Sequence, residues 1–331
     1  MEIHKVLITG ITGFVGSHLA DYVIENFSKV QIFGLVRWRS PVNNVKHILD
    51  KITLLSGDLL DLPSLKSILS EYKPDVVFHL AAQSYVPFSF SSPIATLNTN
   101  VIGTCNLLEA VKDLKLTSNY DPTIHICSSS EVYGQVKEDE LPIDEETPLR
   151  PASPYGVSKV GEDLLGYQYW LSWGIKTLRT RMFTHTGPKR GDVFVVSNFA
   201  KQIAAIEAKC QSPVIKVGNL ESLRTFFDVR DAVHAYWLLV NRCTPGEVYN
   251  IGGVETMTIK EMLDLLLEMS TFKNIVVQTD PDKLRPSDVT LQIPSTEKFH
   301  RETRWRPKIK FSKTLEDTLN FWRNHFARES Q

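Results

Sequence analysis

The chain has 331 residues, 42% of them hydrophobic and 23% charged, with a formal net charge of −1. That length exceeds one small core, and the balanced charge excludes a general nucleic-acid or membrane surface, so any basic residue that matters acts locally. Cys105, Cys127, Cys210 and Cys243 lie far apart with no metal-ligand spacing, so no metal is expected; reduced, buried thiols in a cytoplasmic setting are. Met1–Lys5 runs directly into a strand-like segment, with no apolar stretch suited to a signal peptide and none later of the ~18–20 residues a membrane span needs.

Short apolar runs alternate with helical periods through the first half. Strands are predicted at Lys5–Thr9, Val30–Val36, Ile52–Leu55, Val76–Leu80, Thr123–Ser128 and Ile175–Arg181, with helical segments such as Gly16–Phe27 and Ile94–Lys115 between them. Strand, helix, strand in repetition implies parallel pairing through right-handed crossovers, hence a doubly wound α/β Rossmann sheet. After about Pro188 the rhythm changes. Pro, Gly and charged residues intersperse short strands at Pro213–Val217, Glu247–Ile251 and Ile275–Gln278, and Ile259–Met269 and Ser312–Phe326 have helical period. The expected organisation is a Rossmann domain over 1–187 and a smaller α+β lobe over 188–331, some of whose strands and helices return to the first domain.

Gly10-Ile11-Thr12-Gly13-Phe14-Val15-Gly16 follows the first strand and opens the first helix. Glycines there allow a tight turn and close approach of a pyrophosphate to the positive end of the helix. The spacing is G-x-x-G-x-x-G rather than G-x-G-x-x-G, yet its place in a βαβ unit reads as a dinucleotide loop. NAD sites usually carry Asp or Glu at the end of strand two, to bond the ribose 2′-hydroxyl. Here stands Val36-Arg37-Trp38-Arg39-Ser40, with no acid. The guanidiniums of Arg37 and Arg39 and the hydroxyl of Ser40 suit a 2′-phosphate, so NADP(H) is expected ahead of NAD(H). Asp58 and Leu59 are expected to border the adenine. Leu80, Ala81, Ala82 and Gln83 end strand four, where small residues let the cofactor pass.

Tyr155 and Lys159 are four apart in a helical stretch and share a face. An ammonium about 4 Å from a phenol is worth about 4 kcal/mol at an effective dielectric of about 20. That is enough to bring the tyrosine toward neutral pH as a base for a sugar hydroxyl. Ser128-Ser129-Ser130-Glu131 ends strand five at the carboxyl edge where ligands bind in such sheets. Ser129 can donate to the oxygen that Tyr155 deprotonates, and Glu131 is a further acid/base.

With these residues placed, the chain resembles the extended short-chain dehydrogenase/reductase family over nearly its whole length. Within it, the chain is similar to the branch of GDP-mannose 4,6-dehydratase and its neighbour GDP-4-keto-6-deoxymannose reductase. The segments that carry the likeness are LITGITGFVGSHL, VRWRS, HLAAQSYVPFSF, SSSEVYG, SPYGVSK, THTGPKRGDVFV, VGNLESLRTFFDVRD and KLRPSDV. The resemblance implies a catalytic set of Ser129, Glu131, Tyr155 and Lys159. It implies substrate contacts from Ser84, Tyr85 and Thr184, and arginines at Arg224 and Arg285 that grip a nucleotide diphosphate. Lys189-Arg190-Gly191 resembles a basic loop that in tetrameric dehydratases reaches a neighbouring subunit's cofactor, which implies a homodimer or homotetramer. One departure stands out: Phe183-Thr184-His185 occupies a place where the family reads F-N-H, so a substrate-facing amide is missing. The implied reaction is oxidation at C4 of a GDP-sugar, loss of water across C5 and C6, and reduction at C6. The alternatives are a 4-ketoreductase, or a C4 dehydrogenase or epimerase on a related GDP-sugar such as a heptose.

Overall fold

The computed structural model describes residues 2–284, 289 and 291–329. β1 (Lys5–Thr9) leads into α1 (Phe14–Asn26), followed by β2 (Gln31–Val36), β3 (Thr53–Ser56), α2 (Leu62–Tyr72) and β4 (Val76–His79). Then come α3 (Val86–Ser91), α4 (Pro93–Leu97), α5 (Gly103–Ser118), β5 (Thr123–Cys127), α6 (Pro154–Trp173) and β6 (Thr177–Met182). Beyond β7 (His185–Thr186), α7 (Val195–Glu207), β8 (Val214–Val217), β9 (Leu223–Asp228) and α8 (Val229–Arg242), the chain returns as β10 (Val248–Ile251). β10 pairs with β6 and completes a parallel seven-stranded sheet, ordered β10-β6-β5-β4-β1-β2-β3. The six strands predicted for the first half all form, with ends shifted by a residue or two.

Alternation along β1 shows why the sheet needs cover on both faces. Val6 and Ile8 pack with Leu19 and Val23 of α1 and Val233 and Trp237 of α8. Leu7 faces the other way, into Leu65 and Leu69 of α2 and Leu107 and Val111 of α5. The strand order reverses between β1 and β4, so their carboxyl ends diverge and leave a crevice, the usual ligand position in such sheets.

The remaining elements form a second layer. β9 pairs with β11 (Glu255–Thr258), β13 (Leu291–Gln292) and β7, and β8 pairs with β12 (Val276–Thr279). α7, α9 (Ile259–Glu268) and α11 (Phe311–Glu329) bury Phe199, Ile203, Met262, Leu266, Leu315 and Trp322 in a core of their own, while α10 (Glu297–Thr303) packs on α8 and β10.

The helix expected over Ile94–Lys115 is interrupted. A π-turn at Asn98–Ile102 separates α4 from α5. Its cause is a polar residue on the inward face. Asn100 is wholly buried, accepts from Gln83 N at 2.8 Å and donates to Gln83 O at 3.0 Å and Ser158 Oγ at 2.9 Å. The widened turn aims that amide, as π-bulges at functional sites often do.

α6 starts where Ser153 caps it, its hydroxyl accepting from Gly156 N–H at 3.0 Å, with Pro154 in the first turn. It ends at Gly174, whose φ of 61° is left-handed. Asp163 is fully buried on α6 and meets alternate residues of β6, Arg179 NH1 at 2.8 Å and Arg181 Nε at 2.9 Å. Asp163→Asn would leave two buried guanidiniums without their anion, and a loss of about 3–5 kcal/mol in denaturant unfolding is expected. An unchanged midpoint would show that this triad does not hold α6 in place.

Candidate active site

A cavity of about 720 Å³ opens at the carboxyl ends of β1, β4, β5 and β6 and continues toward β9 and β13. Gly10, Thr12, Gly13, Phe14, Val15 and Gly16 line one end. Gly10 has φ +73°, and a Cβ there would lie 2.9 Å from Ala81 Cα; a Cβ on Gly16 would lie 2.3 Å from Gly10 O. The loop is therefore closed against its own backbone, and only glycine fits. Gly13 caps α1 without a side chain, so the first-turn N–H groups face an anion site. This cradle, with the small Ala81 and Ala82 beside it, fits a dinucleotide.

Arg37 and Ser40 lie on the cavity wall, joined by Arg37 N–H donating to Ser40 Oγ at 3.1 Å. Asp58, Leu59, Leu80, Ala81, Ala82, Ser84 and Tyr85 are on the wall as well. Two sequence candidates are not. The Arg39 guanidinium sits over the Trp38 ring, 4.5 Å from its centroid, and Gln83 turns its amide to Tyr85 O and Thr96 Oγ1. Arg285 lies outside the described residues.

Ser129, Glu131, Tyr155, Lys159, Thr184 and Arg224 also share this cavity, although they come from four separate stretches of chain. Ser129 Oγ accepts from Glu131 N–H at 3.2 Å, starting a turn that sets the carboxylate beyond β5. Lys159 is buried. Its Nζ donates to Cys127 O and to Glu162 Oε2, both at 2.9 Å, and stands 5.9 Å from the Tyr155 ring centroid.

Burial opposes the charge on Lys159, but Glu162 and the other groups around it prevail and raise its pKa above the ordinary value. Burial likewise lifts Glu162, to about 7, against the pull of Lys159. Tyr155 corrects the expectation from sequence. Burial raises its phenol above the ordinary value, and Lys159 and the Ser129 hydrogen bond only partly offset it. The ammonium is there, but its charge is shared with Glu162, a residue to which the spacing of Tyr155 and Lys159 does not draw attention.

The basic loop folds onto the chain's own site. Arg190 lines the cavity with its guanidinium 3.7 Å from the Phe194 centroid and 4.8 Å from that of Phe14, and burial lowers its pKa to about 10. Lys189 is tied to Asp21 of α1 at 2.6 Å. Sequence reasoning also passed over Asn44, His185 and Gln292, all on the wall. Asn44 donates to Thr12 O at 3.1 Å and steadies the glycine loop. The His185 ring stacks on Phe14, and burial lowers its pKa to about 4, so it is neutral. His185 closes the Phe183-Thr184-His185 segment but has no role assigned there, and Asn44 sits in no motif; for Gln292 the available signal is a polar residue in an apolar strand.

A parallel Rossmann sheet with this glycine loop and a Ser–Tyr–Lys cluster past β5 defines an extended short-chain dehydrogenase/reductase. The chain belongs to the GDP-mannose 4,6-dehydratase family, whose model matches residues 7–318. It is 34% identical to the GDP-6-deoxy-D-mannose reductase of Pseudomonas aeruginosa, over 98% of this chain and 99% of that one. It is 31% identical to a GDP-mannose 4,6-dehydratase of Vibrio cholerae, over 95% and 92%. Among solved structures it resembles RMD from Pseudomonas aeruginosa complexed with NADPH, with a TM-score of 0.83, 32% identity and coverage of 97% and 99%. It also resembles dTDP-glucose 4,6-dehydratase from Bacillus anthracis in complex with NAD, with a TM-score of 0.82, 26% identity and coverage of 97% and 96%.

Glu162→Gln keeps an oxygen for Lys159 and removes the competing charge, so Tyr155 should lose its proton more easily. A base raised in pKa is active only above that pKa, so the acid limb of the pH–rate profile should move to lower pH in the variant. A limb that stays put or moves up would show that Glu162 does not govern Tyr155.

Proposed function

We propose that the chain is an NADP-dependent 4,6-dehydratase acting on GDP-mannose or a closely related GDP-sugar. The observation that carries this reading is Glu131 on the same cavity wall as Ser129, Tyr155 and Lys159. Alcohol oxidation needs the last three; an elimination needs a further carboxylate. The family and its GDP-mannose 4,6-dehydratase members, at about 30% identity, support it. The glycine loop, Arg37, Ser40, Tyr155 and Lys159 would hold the dinucleotide, which when bound supplies a two-electron acceptor and donor.

The side chains then divide the chemistry between them. Tyr155 takes the C4 hydroxyl proton, with Ser129 donating to the same oxygen and Lys159 stabilising the phenolate. The C4 ketone acidifies C5, and Glu131 takes that proton and delivers one to the departing C6 oxygen. Tyr155 and Lys159 are 8% and 4% exposed, so water has little access to the proton being moved. Arg224, and Arg285 by the family pattern, bind the nucleotide diphosphate.

Arg37 and Ser40 at the end of β2 favour the 2′-phosphate, and the four free cysteines suit the reducing cytoplasm. Val157, Leu164 and Leu171, at heptad spacing on α6, are 48%, 48% and 68% exposed, and Ile94 and Ile102 nearby are 67% and 48% exposed. Such a stripe supports a homo-oligomer of at least two copies through this face.

Incubation with GDP-mannose and catalytic NADP+ should yield a product lighter by one water, with no net NADPH formed. Glu131→Gln should lower that turnover by about a hundredfold to ten-thousandfold, while NADP binding persists. Near-normal turnover would remove Glu131 from its role. Activity only on the 4-keto-6-deoxy sugar, with stoichiometric NADPH consumption, would favour a reductase, to which the 34% identical relative gives weight. Arg37→Ala should weaken NADP binding about tenfold or more and leave NAD binding near unchanged; an equal effect on both would refute the 2′-phosphate contact. Light scattering should give at least twice the monomer mass, and a monomer would exclude the α6 interface.

A further inference from the structure

Gln292 stands opposite Arg224 in the parallel pairing of β13 with β9. It is 2% exposed and lines the cavity. Two donors converge on its carbonyl, Arg224 NH1 at 2.8 Å and the Thr184 hydroxyl at 3.4 Å. A guanidinium only donates, so this contact decides which end of the amide is the oxygen. Nε2 is left buried and without a partner among the described residues. A buried donor with nothing to donate to is costly, and in a cavity wall that cost is removed when a ligand brings an acceptor.

The surroundings select the acceptor. Arg224 NH2 is engaged with Val289 O at 3.0 Å, which holds the guanidinium against the amide. An amide donor held beside a guanidinium suits an anionic oxygen better than a neutral hydroxyl. We infer that Gln292 is a substrate-binding residue whose Nε2 donates to a non-bridging oxygen of the substrate's diphosphate, beside Arg224. The inference rests on the nucleotide-sugar reading. It also gives Thr184 a part: with Arg224 its hydroxyl engages the Gln292 carbonyl and leaves Nε2 as the unengaged end of the amide.

Gln292→Glu tests this directly. It keeps an oxygen for Arg224 and Thr184 and replaces the donor with an anion. Calorimetric titration of the NADP-loaded full chain should show GDP and GDP-mannose both weakened by about ten- to a hundredfold, with NADP affinity within about twofold of the starting protein. Gln292→Leu, which has neither amide atom, should weaken both ligands too. Wild-type affinity in the Glu variant overturns the inference. So does a loss confined to GDP-mannose, which would put the contact on the sugar, or an equal loss of NADP, which would mark a general structural role. Failure of the unaltered protein to bind either GDP or GDP-mannose would instead overturn the nucleotide-sugar reading on which the inference stands.

Discussion

The polar face of α6 is buried, and the site depends on how its charges are matched. Lys159, Glu162 and Asp163 lie within five residues and are 4%, 1% and 0% exposed. Unpaired, each would cost several kcal/mol. Asp163 is matched by Arg179 and Arg181 of β6, and Lys159 by Glu162 and the carbonyl of Cys127. Ser158, next to Lys159 in the chain, accepts from Asn100 of the π-turn at 2.9 Å. The Lys159–Glu162 pair lies within the helix; the other bonds tie α6 to β5, to β6 and to the π-turn. Their joint result is one position for Tyr155 relative to the end of β5.

The same pairing sets the chemistry. A lysine that neutralised no carboxylate would lend its full charge to the phenol. Here part of that charge is answered by Glu162, and burial holds Tyr155 protonated to higher pH than its spacing alone implies. The cavity therefore presents Tyr155 as a weak acid in a dry place, beside a serine donor and a half-exposed carboxylate. At the far end the design differs: backbone N–H groups and arginines prepare for phosphate, with rigid glycines where any Cβ would collide. One cavity thus joins a glycine cradle that fits an anion to a cluster of buried titratable side chains.

The glycine loop, the six strands of the first half and the grouping of Ser129, Glu131, Tyr155 and Lys159 at one cavity were legible because each follows from local rules. A pyrophosphate needs glycine at a strand–helix turn, a two-sided sheet needs continuous apolar runs, and residues four apart on a helix share a face. The same local logic does not separate Arg39 from Arg37. Two guanidiniums near a strand end look alike in sequence, but Arg37 reaches the cavity while Arg39 is drawn onto Trp38. Gln83 likewise spends its amide on its own loop. The π-turn was illegible because the pull on Asn100 comes from Gln83 and Ser158, the latter 58 positions away in the chain.

By itself the sequence determined the class of fold, the place of the glycine loop and which side chains to look for at the carboxyl edge of the sheet, since these follow from local pattern. The tertiary structure decided what those side chains feel. It returned β10 to the Rossmann sheet and folded Arg190 over Phe14 in its own cavity. It buried the helical neighbours Lys159 and Glu162 together, and it brought Gln292 from β13 to Thr184 and Arg224. The physical reason is common to all of them. Burial and Coulomb interactions act over a few ångströms of space, and residues 108 positions apart, such as Thr184 and Gln292, become neighbours only when the chain has folded.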